Sequence, residues 1–178
     1  MKKFVIIGSV LLALILTAIL CCHVKKASVP TVKEGRFDFS VTYEAGGEVQ
    51  TYSGVYVCKY DGVLITLVST SVEWKEYIEN ETEMDLPIYT NEVGTVYLNF
   101  GFSPEYFMDD PNWFDRPIPQ PTLYMACGDS DSDSYYILGD EEEIAIYGVK
   151  ILSYEYASPI ENTFKNKWTF GRFVPSIN

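Results

Sequence analysis

The feature that most constrains the fold of this chain is the alternation of apolar and polar residues in short segments separated by turn residues. In RFDFSVTY, residues 36–43, every second residue from Phe37 onward is apolar or aromatic and the intervening residues are polar. This period of two is typical of a β-strand with one buried face. The next residues, AGGE, supply Gly46 and Gly47 for a hairpin turn, and VQTYSGVYVCKY predicts the returning strand.

Further segments predict more strands of the same kind. A second hairpin turn is predicted at Asp61 and Gly62, SVEWKEYIENETEM is interpreted as a strand in preference to a helix, and VGTVYLNFGF is a clearer strand. Later strands are predicted in TLYMAC, SYYIL, EIAIYG, VKILSYEY and KWTFGRFV. Short strands with turn signals roughly every ten residues are typical of antiparallel β-proteins. The predicted fold class is therefore all-β, an antiparallel β-sandwich or a partly open barrel.

One segment interrupts the strand pattern. Ser103 is suited to the N-cap of a helix, Pro104 to its first position and Glu105 to its first turn, whereas Pro111 ends it. A helix of at most two turns is predicted, followed by an extended proline-rich stretch as far as Pro121.

The N-terminus carries an apolar segment. An uncharged run of 17 residues extends from Phe4 to Leu20, with lysines on both sides. As a helix the run would be about 26 Å long, somewhat less than a hydrocarbon core of about 30 Å. Including Cys21 and Cys22 closes the gap, so residues 4–22 are predicted to enter the membrane.

The processing of this segment decides the domain organisation. No small-x-small cleavage site follows the run, and Leu20 is a poor match to the residue that precedes a lipidated cysteine. An uncleaved single-pass signal anchor is therefore predicted for residues 1–26, with cleavage or lipidation at Cys21 as the alternatives. A tether at 27–35 and an extracytoplasmic β-domain at 36–178 would follow it, on the outer face of the cell membrane.

The remainder of the chain is strongly acidic. Residues 27–178 contain 9 Lys and Arg and all 25 Asp and Glu, a formal charge of 9 − 25 = −16. Nucleic-acid partners are excluded, because their binding requires Lys and Arg to neutralise phosphates. The same net charge predicts repulsion from anionic headgroups, so that the domain stands off the bilayer beyond its anchor.

Two cysteines, Cys58 and Cys127, follow the anchor. In an oxidising compartment they are predicted to form a disulfide, with two separately buried thiols as the alternative.

The order Cys58, Trp74, Cys127 resembles the Cys…Trp…Cys arrangement of immunoglobulin domains, in which the Trp packs on an inter-sheet disulfide. That family has a Tyr two residues before the second Cys, where this chain has Met125. The resemblance covers three residues, so it implies a sandwich and carries no function.

The sequence offers a candidate calcium loop in CGDSDSDSYYILGD. The exterior domain has no histidine, since His23 lies at the predicted membrane edge, and His-based metal sites and triads are excluded there. Four aspartates nevertheless occupy positions 1, 3, 5 and 12 of an EF-hand loop: Asp129, Asp131, Asp133 and Asp140. Ser134 stands where that loop has Gly, and the flanks predict strands. A hairpin loop with Asp and Ser turns is the alternative.

A second candidate site is the aromatic loop EYFMDDPNWFDRP. Its predicted ligand-binding residues are Tyr106, Trp113, Phe114 and Arg116, because aromatic rings stack on sugar rings and the charged groups can bond hydroxyls. The alternative is that these rings cover the end of a sheet.

The sequence predicts a membrane-anchored binding or structural module of the cell envelope that is not an enzyme. A polysaccharide or an envelope protein is the expected partner, and calcium is the one cofactor that a motif suggests. The alternatives are carbohydrate binding through the Tyr106–Arg116 loop, a calcium-stabilised adhesion domain, and a small cell-wall hydrolase that uses a pair of carboxylates.

Overall fold

The computed structural model describes residues 24–66, 69–92, 94–111, 118–127, 134–137 and 147–173, together with Leu12, Leu14 and Thr17; at 126–127, 134–137 and 173 only the backbone is described. This part of the chain is predominantly β-structure. The strands are β1 (Val24–Pro30), β2 (Glu34–Ala45), β3 (Glu48–Ile65), β4 (Thr70–Ile78), β5 (Asp85–Thr90), β6 (Thr95–Asn99), β7 (Thr122–Cys127), β8 (Ser134–Ile137), β9 (Val149–Tyr156), β10 (Phe164–Phe170) and β11 (Arg172–Phe173). One short helix, α1 (Pro104–Phe107), lies between β6 and β7.

The strands form three sheets. β1 pairs with β10; β11, β3, β2 and β9 form a sheet in that order, with β4 also paired to β3; and β5, β6, β7 and β8 form the third. Antiparallel pairing predominates, and the two residues of β11 pair in parallel with β3. The predicted all-β class with antiparallel sheets is confirmed.

The chain divides into two compact units. Unit 1 consists of Met1–Lys33, Tyr60–Lys75 and Asn162–Asn178, and unit 2 of Glu34–Lys59 and Glu76–Glu161. β3 and β4 contribute residues to both units.

The alternation that predicts β2 is confirmed by its burial. Its buried side chains are those of Phe37, Phe39, Val41, Tyr43 and Ala45. The predicted turn follows, since Gly46 and Gly47 have φ of 60° and 84° and Ala45 pairs with Glu48. Glycine adopts these positive angles without the steric cost that most other residues incur.

The predicted turn at Asp61 and Gly62 is wrong. β3 continues through both residues as one strand of 18 residues, pairing with β2 as far as Lys59 and with β11 at Leu64. Pairing on both sides of the dipeptide holds it extended, and Gly62 accommodates a φ of 126°. The chain reverses after β3, where the Thr66 N–H donates to the Ser69 carbonyl over 2.9 Å.

Two strands were not expected from the sequence. Ala27–Pro30, the first part of the predicted tether, belongs to β1, and every residue of β1 pairs with β10. β5 contains Pro87, which cannot donate a ladder hydrogen bond; β5 is an edge strand, and its register shifts next to Pro87.

Aromatic side chains fill the core of unit 2. The Phe37 and Phe107 rings lie 4.7 Å apart, the Tyr56 ring stacks on Phe102 at 4.1 Å, and the Phe39 ring packs edge-on against Phe100 at 4.9 Å. α1 brings Phe107 into this core and confirms the predicted helix start, because the Ser103 Oγ accepts from the Tyr106 N–H at 3.3 Å.

Among the described residues of unit 1, Ala27, Val29, Val63 and Ile65 form a buried core, with Tyr60 packed against them. Asn162 ties the end of β1 to the start of β10. Its Oδ1 accepts from the Val32 and Thr163 N–H groups at 3.0 and 2.9 Å, and its Nδ2 donates to the Val32 carbonyl at 3.1 Å.

Across the described ranges, no helix is both long and apolar enough to cross a bilayer. Apart from Leu12, Leu14 and Thr17, the predicted anchor at residues 4–22 lies outside those ranges, as does most of the predicted strand EIAIYG.

Candidate functional site

The aromatic loop is described at its beginning. Tyr106 lies in α1, half-buried, with its ring edge-on to Phe107 at 5.3 Å. Trp113, Phe114 and Arg116 lie outside the described residues, so the predicted set stays a prediction.

The predicted calcium ligands Asp129, Asp131, Asp133 and Asp140 also lie outside the described residues. The strands beside the first three pair with each other: Cys127 is opposite Ser134, and Tyr124 is opposite Ile137. The alternative to a calcium loop is a hairpin loop between two paired strands. The pairing of β7 with β8, which contains Ser134–Ile137, agrees with that alternative. In the part of the chain that the structure describes, no group of three or more His, Cys, Asp or Glu could hold a metal ion.

Cys58 is a free and fully buried thiol. Burial raises its pKa to about 12, so it is protonated at neutral pH and is a poor nucleophile. The predicted disulfide thus gains no support from Cys58; the side chain of Cys127 lies outside the described residues, and the pairing stays a prediction.

A groove in unit 2 is the strongest candidate for a binding site. It has a volume of about 380 Å³ and is named here the acidic groove. Its lining residues are Tyr52, Ile78, Glu81, Thr82, Glu83, Asp85, Leu86, Pro87 and Phe100.

The acidic groove forms where the chain leaves β4 and enters β5. β4 ends at Ile78, after which the Glu81 N–H donates to the Ile78 carbonyl at 3.1 Å and Asn80 adopts a φ of 68°. Asn tolerates this left-handed conformation better than most residues. The turn therefore presents the acidic segment Glu81–Asp85 along one side of the groove.

The floor of the groove is apolar. Ile78 and Phe100 are 2% and 1% exposed, and the Tyr52 ring packs on Phe100 with 5.4 Å between centroids. An apolar floor of this kind favours an apolar face of a ligand.

Two of the groove carboxylates are held by hydrogen bonds. The Tyr52 hydroxyl donates to Glu81 Oε1 at 2.9 Å, and Asn99 Nδ2 donates to Asp85 Oδ1 at 2.6 Å. Partial burial, together with the bond to Glu81, raises the pKa of Tyr52 to about 12. Tyr52 therefore remains a hydrogen-bond donor at neutral pH and fixes Glu81, while Glu83 is exposed.

The electrostatics of the groove limit its ligands. Glu81, Glu83 and Asp85 line it, and no Lys or Arg is among the described residues of its lining. Anionic polymers are disfavoured there, whereas hydroxyl and ammonium donors match the carboxylate acceptors.

A second polar cluster lies beside the aromatic core. The hydroxyl of the fully buried Tyr56 donates to Glu76 Oε2 at 2.6 Å. Burial raises the pKa of both groups, although the Glu76 side chain is largely exposed. Neither Tyr56 nor Glu76 lines the acidic groove, and we assign the cluster to the stability of the fold.

The acidic groove has no recognisable motif in the sequence. The available signal was the run ENETEMD, which fits neither a strand nor a helix period. Tyr52 of β3 and Phe100, which follows β6, meet in the groove only through the tertiary fold, so their contribution could not be seen in the sequence.

No family model matches the chain, and no curated protein or solved structure shows significant similarity to it. Function is therefore inferred from the residues and geometry above.

Proposed function

We propose that this chain is a single-pass, membrane-anchored, extracytoplasmic binding module that holds a neutral or amine-bearing polysaccharide of the cell envelope in the acidic groove. The observation that carries the proposal is the combination of an aromatic floor with three carboxylates, in a lining whose described residues include no Lys or Arg. A β-sandwich or partly open barrel, preceded by an N-terminal transmembrane helix, is part of the same proposal.

The chemistry of the groove suits a sugar chain. The C–H face of a pyranose ring can lie on the Tyr52 ring, and the carboxylates of Glu81 and Glu83 can accept hydrogen bonds from its hydroxyls or amines. A hydrogen bond to a charged acceptor contributes about 1.5–3 kcal/mol, so two or three such bonds contribute about 3–9 kcal/mol in all. The loss of translational and rotational freedom on association offsets part of this, and we expect weak binding, on the order of millimolar.

The proposed location rests on the N-terminal segment. A basic head followed by the apolar run from Phe4 to Leu20 is typical of chains that are exported or anchored. The absence of histidine after His23 supports a binding role over His-based catalysis.

The alternatives remain separate proposals. Sugar binding through Tyr106, Trp113, Phe114 and Arg116 is supported by the aromatic and charged composition of that loop, and calcium-stabilised adhesion by the spacing of the four aspartates. A small hydrolase would need two carboxylates at a suitable separation across a bound sugar.

Binding of the full chain, in detergent micelles, to insoluble polysaccharides tests the proposal. Chitin provides a neutral polymer, chitosan an amine-bearing one and polygalacturonate an anionic one. We expect retention on chitin or chitosan and none on polygalacturonate. The double variant Glu81→Gln, Glu83→Gln should bind at least about tenfold more weakly, which corresponds to 1.4 kcal/mol.

A matched variant controls for the loss of two negative charges. Glu48 and Glu92 are exposed residues of unit 2 that do not line the groove. Glu48→Gln, Glu92→Gln should therefore bind like the wild type. Equal binding by the groove variant would refute the acidic groove as the site, and loss of binding in Trp113→Ala alone would transfer the site to the aromatic loop.

A further inference from the structure

The two-stranded sheet of unit 1 exposes two large aromatic side chains on one face. Trp168 and Phe170 of β10 are 75% and 72% exposed. Trp168 pairs with Lys26 and Phe170 with Val24, and directly paired residues lie on the same face of a sheet. These four residues are named here the β1–β10 face.

The opposite side of the same sheet is the one that packs on the core. Ala27 and Val29 of β1 alternate with Lys26 and are 2% and 8% exposed. Packing in unit 1 therefore does not use Trp168 or Phe170, although each could bury a large apolar area. Adjacent exposed aromatics of this size mark an interaction surface.

The charge of this sheet is opposite to that of the domain. β1 and β10 contain Lys25, Lys26, Lys165 and Lys167 and no Asp or Glu, whereas residues 27–178 as a whole carry −16. Lys26 lies on the face with Trp168, and the other three lysines alternate to the opposite side. The partner that this composition fits is an anionic surface with an apolar layer beneath it.

The position of the sheet in the chain identifies that surface. Val24 is two residues beyond Cys22, the end of the predicted membrane-entering segment, so their Cα atoms are at most about 7 Å apart. The headgroup layer on each side of a bilayer is about 5–7 Å thick. A chain that leaves the hydrocarbon at Cys22 therefore has Val24, and Phe170 paired with it, at headgroup depth.

We propose that the β1–β10 face docks on the bilayer that holds the anchor, with Trp168 and Phe170 in the headgroup region and Lys26 on the phosphates of anionic phospholipids. This inference rests on the membrane anchor of the proposed function. Trp is enriched at this depth because its ring is apolar and its N–H is polar, and Lys extends its ammonium to the phosphates. The acidic remainder of the domain is still expected to avoid the surface.

Fluorescence quenching in reconstituted vesicles tests the docking. The full chain and its Trp168→Phe variant are placed in phosphatidylcholine–phosphatidylglycerol vesicles with and without headgroup nitroxide lipids, and the difference between the two chains reports Trp168. We expect Trp168 to be quenched by the nitroxide lipids and shielded from aqueous iodide. Lys26→Glu, or vesicles of phosphatidylcholine alone, should reduce the quenching.

A probe on the other face of the same strand is the control. In Lys167→Trp, Trp168→Phe the indole moves by one residue to the opposite side of β10, and its quenching should be about twofold or more weaker. Equal quenching at the two positions, or none at Trp168, overturns the docking.

Flotation of the same vesicles separates this inference from the proposed function. If the chain floats after alkaline extraction and Trp168 is not quenched, the anchor is supported and the docking is refuted. If the chain does not float, the membrane anchor is refuted, and the docking, which depends on the anchor, is refuted as well.

Discussion

The hydroxyl of Tyr56, at the centre of the aromatic core, donates a 2.6 Å hydrogen bond to the carboxylate of the largely exposed Glu76. The bond joins β3 to β4 within unit 2. Burial raises the pKa of Glu76, the bond from Tyr56 opposes that rise, and the negative charge of Glu105 adds to it. The folded chain therefore holds the Glu76 proton to a higher pH than the unfolded chain does.

This shift predicts the sign of a pH effect on stability. The contribution of Glu76 to the free energy of unfolding is fully present below its unfolded pKa of about 4.3. This contribution is lost as the pH rises through the higher pKa of the folded state. Glu76→Gln keeps an acceptor for Tyr56 and removes the titration. The free energy of unfolding of the variant minus that of the wild type, measured by chemical denaturation, should be larger at pH 7 than at about pH 3.5. A difference that does not change with pH would contradict the shift.

Glu79 provides a control of opposite sign. The hydrogen bond from Arg36 lowers the pKa of Glu79, so its contribution is present above the unfolded pKa and is lost as the pH falls. The destabilisation caused by Glu79→Gln, measured against the wild type, should therefore be larger at pH 7 than at about pH 3.5.

The thiol of Cys58 should be inert in the folded chain. It is fully buried and its pKa is raised to about 12, so little thiolate exists at pH 8. In a variant with Cys21, Cys22 and Cys127 changed to Ser, we expect Cys58 to react with iodoacetamide after unfolding and not before. Rapid labelling of the native chain would contradict its burial.

The predicted disulfide has a direct test. The full chain is purified under oxidising conditions, unfolded without reductant and alkylated. It is then digested and mapped by mass spectrometry. A Cys58–Cys127 peptide pair would establish the bond, and alkylated Cys58 would establish the free thiol. The Cys127→Ser variant identifies any other partner of Cys58.

Gly101 should tolerate substitution poorly. Its φ is 63°, and a Cβ atom there would lie 2.1 Å from the carbonyl oxygen of Gln120. Gly101→Ala is expected to cost about 2–5 kcal/mol, because backbone overlap adds to the strain of the left-handed conformation. Gly47 has a φ of 84° with nothing within 4 Å of its Cβ position, so Gly47→Ala should cost only about 1–2 kcal/mol. Equal denaturation midpoints for the two variants would refute the close approach.

Calcium dependence tests the aspartate motif. The full chain is melted in excess EDTA, in magnesium and in calcium, with Asp131→Asn as the matched variant. Calcium at 100 times its dissociation constant would add about 2.7 kcal/mol of stability. A rise specific to calcium that Asp131→Asn removes would establish a site, and superimposed melts would establish the hairpin alternative.

Sequence predicts this fold best where burial follows a local pattern. The period of β2 and the cap of α1 depend on adjacent residues, so both were predicted. Asp61–Gly62 carries an equally strong local turn signal, but pairing of β3 on both sides of it keeps the chain extended. Long-range pairing with β10 also decides β1, whose sequence contains Pro30. β5 contains Pro87 and forms by pairing with the next strand, β6.

The candidate site was less predictable than the fold. Sequence analysis selects residues by chemical type, and it found Tyr106, Trp113 and the aspartate loop in this way. The acidic groove combines an irregular acidic turn with Tyr52 of β3 and Phe100, which follows β6, so its existence depends on three-dimensional proximity. A sequence motif records spacing along the chain, and no such spacing relates these residues.

The pairing of β1 with β10 also limits how this protein can be shortened. A fragment that begins at residue 36, the start of the β-domain expected from the sequence, would lack all of β1 and retain β10. The backbone N–H and C=O groups of β10 that bond to β1 would then be an open edge, next to the indole of Trp168 and the ring of Phe170. Open edges with exposed aromatics recruit strands from other molecules. Such a fragment would be prone to self-association in storage and in crystallisation trials, whereas one that starts before Val24 would keep the edge closed.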